Sequence, residues 1–257
     1  MTYSAALTAA CLAVFADLSA LHIPVYALIA IAGIVAALWL SLRTAPLRAL
    51  SPDRLWDAGF FAIIAAFVIS RALGFLLLFV IERGQLTISF RDVLRFSSLS
   101  YLSLFVTAVA VAAWLRWKGL SILRMIDAWA PCGALLWSAI SVAEAATGTE
   151  NGLPTRLPWG VRTAAGIRVH PVALYTAAAA LFLCGALFSL LRRVRTPGRV
   201  ASIAIVAAGV IVFLFDMLRA PEQPFGRGLL DVSQWLALAS ILFGVCLFTF
   251  ARASEVR

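Results

Sequence analysis

Residues 25–42 read VYALIAIAGIVAALWLSL and contain no charged side chain. An α-helix needs about 20 mostly apolar residues to cross the hydrocarbon core of a lipid bilayer. Six further stretches of the chain have a similar length and composition. They are residues 56–81, 99–115, 126–146, 172–191, 200–218 and 229–250. The sequence therefore predicts an all-α, polytopic membrane protein with seven transmembrane helices.

The composition of the chain supports this interpretation. Of its 257 residues, 63% are hydrophobic and 13% are charged, and the mean hydropathy is +0.99. A soluble domain has about a quarter charged residues, because it must cover a polar surface. Residues 1–257 contain no long linker, low-complexity run or internal repeat, which predicts a single transmembrane domain. Residues 1–24 are predicted to be a peripheral or interfacial segment, because the apolar run at 5–15 is short for a span and has no basic residues before it, as a signal peptide would.

The loops differ in their content of Lys and Arg. Most of the basic residues lie in the first, third and fifth loops and after the last span, and residues 1–24 contain none. Because basic residues are enriched in cytoplasmic loops, we expect the N-terminus outside and the C-terminus in the cytoplasm. Contacts with anionic lipid headgroups account for the net charge of +9. No basic stripe lies outside the membrane-flanking loops, which argues against a nucleic acid partner.

The four cysteines all lie within apolar stretches. They are Cys11, Cys132, Cys184 and Cys246. They form no CxxC pair and have no acidic or histidine neighbour at the spacing of a metal site. We interpret them as small buried hydrophobic residues, and no metal site is predicted.

Ionisable side chains inside the predicted spans are the sharper functional signal, because each costs several kcal/mol if it has no partner in lipid. Arg71 lies in the second span, Glu144 late in the fourth and Asp216 late in the sixth. These spans all run outward, so the three residues share the outer half of the membrane, where Arg71 could pair with Glu144 or Asp216. Arg219, three residues after Asp216, is expected on the same helix face. The group is either a structural ion pair or an outer-leaflet cavity for an anionic headgroup.

The outer loop at residues 147–168 is the longest polar excursion of the chain. It is rich in Gly and Pro and is therefore either a turn-rich connector or a candidate site beside a span boundary. His170 and Pro171 follow it and open the fifth span, since proline suits the first turn of a helix. Tyr175 lies just below the membrane surface in the same span. We hypothesise that Arg71, His170 and Asp216 face one outer cavity.

Two motifs carry a resemblance to a known family. Residues 152–161 read GLPTRLPWGV, and residues 170–175 read HPVALY. They resemble the bacterial prolipoprotein diacylglyceryl transferases, which typically read G-x-P-T-x-x-P-W-G-V followed by H-P-x-Q-L-Y-E. Further similar positions keep the chain order, and they are Tyr26, Arg71, residues 215–221 (FDMLRAP) and residues 230–234 (LDVSQ).

The resemblance implies a multi-pass enzyme of the bacterial inner (plasma) membrane. Such an enzyme moves a diacylglyceryl group from phosphatidylglycerol to the cysteine thiol of a lipoprotein signal peptide and releases glycerol phosphate. It implies a phospholipid and a signal peptide as partners, and it requires no metal and no cofactor. The catalytic residues it implies here are His170, Arg71 and Asp216. The substrate-binding residues are Tyr26, Glu144, Gly152, Tyr175, Arg219 and Gln234.

The chain departs from the family pattern at several charged positions. Ser141 and Glu144 stand where the family has an arginine and an asparagine, and Val212 stands in place of a further arginine. Residues 96–98 lack the histidine of a family H-G-G segment, and Thr176 replaces a glutamate. These changes remove much of the positive charge that would hold a phosphate.

Two main interpretations follow. In the first, the chain is a divergent transferase with a rearranged site built on Arg71, Arg219 and His170. In the second, it is a catalytically inactive homologue that serves as a lipid-binding or accessory subunit of a membrane complex. A small-solute transporter gated by Arg71 and Asp216 is a third possibility, and the lack of repeats or paired broken helices counts against it.

Overall fold

The structure is a computed structural model that describes residues 25–81, 101–148, 152–163, 166–219 and 230–253. The predicted peripheral segment at residues 1–24, Cys11 and residues 96–98 lie outside the described residues. All nine predicted site residues lie within them.

Seven α-helices run through the described residues, and each corresponds to one predicted span. They are α1 (Val25–Thr44), α2 (Pro52–Ile81), α3 (Tyr101–Trp117), α4 (Ile122–Ala146), α5 (Val172–Arg193), α6 (Arg199–Asp216) and α7 (Val232–Ala253). Six of these helices are long and apolar enough to cross a membrane, and α3 is apolar but shorter, at 17 residues. The predicted all-α, polytopic membrane fold is confirmed, while the orientation of the termini stays a prediction.

The helices α1 and α4 pack against each other in opposite directions. Gly33 in the middle of α1 faces Ala139, and a Cβ atom added at Gly33 would lie 2.4 Å from the Ala139 Cβ. Farther along α1, the Thr44 hydroxyl lies 3.8 Å from the Cys132 sulfur. Following the predicted orientation, we call the end of the bundle with Thr44 the cytoplasmic end and the opposite end the outer end.

The best-packed part of the molecule lies toward the cytoplasmic end. One buried cluster joins the first turns of α2 and α4 to the last turns of α3, and a second joins α4, α5 and the start of α6. The largest fully buried apolar side chains of these clusters are Leu55, Leu115, Met125, Leu187, Leu191 and Val200. Large apolar side chains exposed on the outside of the helices form a surface suited to lipid, among them Trp39, Phe67, Phe105, Phe182 and Phe250.

The cysteines are divided between the interior and the surface. Cys132 and Cys184 are buried, as expected, whereas Cys246 is exposed. The expectation is wrong for Cys246 because α7 turns this side away from the bundle, where Leu242 and Phe243 are also exposed. All three are free thiols.

A charged cluster is enclosed at the cytoplasmic end, where four segments of the chain meet. The Asp127 carboxylate in α4 accepts hydrogen bonds from the Gly198 N–H at 2.8 Å and the Ala201 N–H at 2.7 Å. The Arg48 Nε lies 3.2 Å from the same carboxylate. The Arg48 Nη1 donates to the Val194 carbonyl oxygen at 2.6 Å. We call Arg48, Asp127 and these three backbone partners the Asp127 cluster.

The Asp127 carboxylate caps the N-terminus of α6, although Asp127 itself belongs to α4. The first amides of a helix have no partner within it and carry partial positive charge, so a carboxylate there is stabilising. Gly198 has a φ of +87°, a left-handed conformation that glycine adopts without a Cβ penalty. Burial lowers the pKa of the Arg48 guanidinium, and the Asp127 carboxylate opposes that change. The cluster ties α4, the turn after α1 and the end of α5 to the start of α6.

Candidate functional site

The outer loop folds into a small antiparallel β-structure beside the helix ends. Its strands β1 (Val161–Arg162) and β2 (Arg168–Val169) pair with each other. Two isolated bridges extend the pairing, one between Pro154 and Val169 and the other between Gly152 and Arg219. Residues 152–155 therefore run between β2 on one side and the segment after α6 on the other. We call this whole arrangement the outer ladder.

Backbone hydrogen bonds hold the outer ladder to two helices. The Leu153 N–H donates to the Leu218 carbonyl oxygen at 2.8 Å, and the Leu153 carbonyl oxygen accepts from the His170 N–H at 3.0 Å. The Thr155 N–H donates to the Arg168 carbonyl oxygen at 2.8 Å. The ladder therefore fixes the residues just before α5 relative to those just after α6.

Gly152 is required at its position by close approach of the backbone. A Cβ atom added there would lie 2.0 Å from the His170 carbonyl oxygen and 2.9 Å from its carbonyl carbon. No side chain fits at that distance, so the chain can pass His170 only with glycine at residue 152.

Three aromatic rings lie next to one another where the ladder meets the helices. The His170 and Tyr175 ring centroids are 6.2 Å apart with an edge-on geometry, and the Tyr175 and Phe215 centroids are also 6.2 Å apart. The Trp159 indole N–H donates to the Tyr175 hydroxyl at 2.8 Å, which pins the loop to α5. The helix α5 begins at Val172 with Pro171 as its cap, which confirms the predicted start of the fifth span.

The His170 side chain has one ring nitrogen in an unusual position. Its Nδ1 atom is buried, and no described residue forms a hydrogen bond with it. A buried polar atom is normally paired, and one left without a protein partner calls for an explanation.

The end of α6 and the start of α7 are joined by side chains. Asp216, the last residue of α6, accepts a hydrogen bond from the Ser233 hydroxyl at 2.5 Å. The Gln234 side-chain oxygen accepts from the Asp231 N–H at 3.2 Å, which is the geometry of a capping box at a helix start. Gln234 therefore stabilises the start of α7 from a buried position.

The expectation that Arg219 continues the helix face of Asp216 is wrong. The helix α6 ends at Asp216, and the Arg219 N–H donates to the Asp216 carbonyl oxygen in a tight turn. Arg219 then pairs with Gly152 as an extended residue, because the outer ladder draws the chain out of helical geometry. Its side chain is exposed.

Tyr26 and Glu144 lie at the outer end on the antiparallel pair α1 and α4. Tyr26 is in the first turn of α1 and Glu144 near the last turn of α4, and both side chains are exposed. Ser141, one turn before Glu144, is 2% exposed and faces the interior. In α2, the Arg71 guanidinium carbon lies 5.3 Å from the centre of the Phe67 ring. The pairing of Arg71 with Glu144 or Asp216 stays a prediction.

The structure thus brings together, at one end of the bundle, a larger group than the motifs alone indicated. The outer ladder and the joined ends of α6 and α7 place Gly152, His170, Tyr175, Asp216, Arg219 and Gln234 in neighbouring segments. Trp159, Phe215 and Ser233 belong to the same group and were not singled out as site residues. All three lie inside the quoted motifs, but a motif does not show which side chain contacts which.

Comparison with known proteins agrees with the sequence motifs. The family model described as "Prolipoprotein diacylglyceryl transferase" matches residues 13–250. The chain is similar to the phosphatidylglycerol–prolipoprotein diacylglyceryl transferase of Clostridium tetani, with 26% identity over 230 residues that cover 86% of this chain and 90% of that protein. The Gloeobacter violaceus protein of the same name is 28% identical over 85% of both chains. The Cupriavidus pinatubonensis protein is 30% identical, over 58% of this chain and 57% of its own length.

Proposed function

Because this chain belongs to the prolipoprotein diacylglyceryl transferase family, we propose that it transfers a diacylglyceryl group from phosphatidylglycerol to the cysteine thiol of a lipoprotein signal peptide. The reaction takes place at the outer face of the bacterial inner membrane. The observation that carries the proposal is the outer ladder, in which Gly152 passes against His170 while its neighbour Leu153 bonds to the segment after α6. Two chain segments that resemble family motifs are thereby held as one unit beside the helix ends.

The chemistry balances without any further reactant. A base removes the proton from the cysteine sulfur. The thiolate then attacks the carbon of the diacylglyceryl group that is bonded to the phosphate oxygen. The carbon–sulfur bond forms as the carbon–oxygen bond to phosphate breaks, and the phosphate oxygen keeps the electron pair. The base then returns its proton to the departing glycerol phosphate.

His170 is the residue we assign as this base. Histidine is the side chain most often used for proton transfer near neutral pH. Its Nδ1 has no hydrogen-bond partner among the described residues, which leaves this atom for a proton that arrives with the substrate. Tyr175, fixed by Trp159, lies against the imidazole and limits its movement.

The remaining predicted site residues are assigned to positioning, to stabilising the charge of the phosphate, or to the place where the lipid enters. Asp216 follows Phe215, whose ring lies beside Tyr175, and its carboxylate accepts a hydrogen bond from the Ser233 hydroxyl. We assign it a positioning role at this end of the bundle. Arg71 and Arg219 stabilise the negative charge that grows on the leaving phosphate, since one guanidinium group can donate two hydrogen bonds to a phosphate. Tyr26 and Glu144 line the outer ends of α1 and α4, where a lipid headgroup enters.

The test is a transfer assay with purified full-length protein in detergent. Phosphatidylglycerol and a lipobox peptide are supplied, and mass spectrometry counts the thioether-linked peptide and the released glycerol phosphate. We expect equal amounts of the two products from the unmodified protein. We expect His170→Gln to lower the rate by about 100-fold or more, because proton transfer by a positioned side chain contributes on that order.

Two controls accompany the assay. Arg192→Gln removes an exposed charge at the cytoplasmic end and is expected to keep the full rate. The melting temperature of His170→Gln must match that of the unmodified protein. Absence of both products from the unmodified protein, with phosphatidylglycerol still bound, would identify a non-catalytic lipid-binding homologue and end the proposal.

A further inference from the structure

Two arginines face each other across the outer ladder. The strand register places Arg162 directly opposite Arg168. Because the Thr163 N–H donates to the Ile167 carbonyl oxygen at 2.9 Å, the adjacent Arg162–Arg168 pair is of the non-hydrogen-bonded kind, with Cα atoms about 4.5 Å apart and side chains close together. Like charges directly opposite each other destabilise a strand pair. The arrangement therefore costs free energy unless an anion lies between the two guanidinium groups.

No acidic partner from the described part of the chain offsets this repulsion. The Arg48–Asp127 ion pair lies at the other end of the bundle. Both Arg162 and Arg168 are exposed, so their guanidinium groups are accessible to a ligand. Two neighbouring guanidinium groups present several N–H donors, which suits the oxygens of a phosphate.

The register also shows what lies on the same face of the ladder. Thr155 lies opposite Arg168 on the side away from Arg162, because the Thr155 N–H donates to the Arg168 carbonyl oxygen. Residues directly opposite each other share a face, so Arg162, Arg168 and Thr155 form one row. The ladder continues through His170, whose N–H donates to the Leu153 carbonyl oxygen. Strand alternation then places His170 on the face of Arg168, about 7 Å farther along.

The position of this face along the bundle identifies the source of the phosphate. The strand β2 leads into α5 within three residues, so the arginine pair lies at the level where the outer headgroups begin in the predicted orientation. Trp159 and Ile167 of the same loop are 59% and 53% exposed. Exposed aromatic and apolar side chains beside basic ones are typical of a segment at the headgroup level of a membrane.

We infer that Arg162 and Arg168 together bind the phosphate of an anionic phospholipid headgroup and hold it on the ladder face that carries His170. The inference deepens the proposed function and rests on it, because it names two further residues that hold the phosphate of the donor lipid. Thr155 adds a hydroxyl to the same row, and Trp159 keeps the loop against α5 through Tyr175.

The test measures lipid binding apart from transfer. The full chain in detergent is titrated with phosphatidylglycerol, and native mass spectrometry gives the Kd for the first lipid bound. We expect Arg162→Gln with Arg168→Gln to raise this Kd about tenfold or more, since each removes a charge-assisted hydrogen bond. Arg162→Lys with Arg168→Lys keeps the charge and is expected to weaken binding less than the Gln pair does. Binding retained by the Lys pair would show that the loss in the Gln pair does not come from misfolding.

A matched control and two ligand comparisons make the outcome decisive. Arg192→Gln with Arg193→Gln removes two exposed arginines at the cytoplasmic end and is expected to leave the Kd unchanged. An equal loss from this control would overturn the inference, because binding would then follow net charge alone. Tight binding of inorganic phosphate with the same arginine dependence, or of phosphatidylcholine with equal affinity, would overturn it as well. Loss of binding only in the Arg162 and Arg168 variants, with no transfer by the unmodified protein, would reject the proposed function while leaving the lipid site intact.

Discussion

At the cytoplasmic end of the bundle, Arg48 and Asp127 are 4% and 0% exposed and contact each other and three backbone groups. At the outer end, Arg162 and Arg168 are exposed on a hairpin of two-residue strands, and Arg219 is exposed on the extended segment after α6. The five largest fully buried side chains also lie toward the cytoplasmic end. Arginine is therefore enclosed with a carboxylate at one end and left accessible to solvent at the other.

The difference shows how charge serves two purposes in one membrane protein. A charge enclosed with its partner and with backbone donors fixes how helices pack, and removing one member leaves the other buried without compensation. A charge left accessible beside an exposed Trp or Ile can bind a ligand that arrives from the membrane surface. The Asp127 cluster therefore joins helices, and the outer ladder is the part of the molecule that we propose to bind and position substrates.

The largest expected effect is a loss of stability when the Asp127 cluster at the cytoplasmic end is disrupted. Asp127→Ala leaves Arg48 and the amides of Gly198 and Ala201 without their acceptor, and we expect a loss of about 3–5 kcal/mol in the free energy of unfolding. Unfolding in a detergent titration measures it. Asp57→Ala, at an exposed position of α2, is the control and is expected to change stability by about 0.5 kcal/mol or less. Equal losses in the two variants would show that enclosure at this end contributes nothing.

The next effect concerns the outer end and is read from the transfer rate of the folded protein. Gly152→Ala pushes its segment away from His170, and a displacement of about 1 Å lowers the transfer rate by about 100-fold. Gly185→Ala is the control, because an added Cβ there meets no atom within 4 Å. Transfer at the unmodified rate by Gly152→Ala would contradict the role of the outer ladder. The transfer assay described above gives both rates.

The smallest expected effect concerns the hydrogen bond that holds the outer loop to α5. Trp159→Phe removes the hydrogen bond to the Tyr175 hydroxyl, which is worth about 1 kcal/mol, so kcat/KM should fall about fivefold. Tyr175→Phe removes the same bond and should have a similar effect. The double variant should then be no worse than either single one, because both changes remove one interaction. Additive losses would mean that the two side chains act separately.

Much of the fold was predictable from the sequence. Long apolar stretches interrupted by charged loops are a strong signal, and each predicted span corresponds to a helix. The His-Pro start of α5 was also readable, since proline at a helix start has a local cause. Arg71 stood out because it is a charge deep within an apolar stretch, although its partners depend on tertiary packing.

The features that the sequence did not predict depend on contacts between distant segments. Asp127 lies one residue inside the predicted fourth span, where an acidic residue is ordinary, so nothing in the sequence indicated its pairing with Arg48 and the start of α6. The outer ladder is made of two-residue strands and single bridges, which are too short to show strand periodicity. For the same reason, Arg219 was assigned to a helix face, and the arginine pair on the hairpin was not recognised.

One measurement tests the division between the two ends most directly. Asp127→Asn and Asp216→Asn make the same chemical change at opposite ends, and each variant is assayed for melting temperature and for transfer per folded molecule. We predict that Asp127→Asn lowers the melting temperature and keeps the transfer rate of the folded fraction. Asp216→Asn should keep the melting temperature and lose most of the transfer. A lowered melting temperature with normal transfer in Asp216→Asn, or the same response from both variants, would contradict the account.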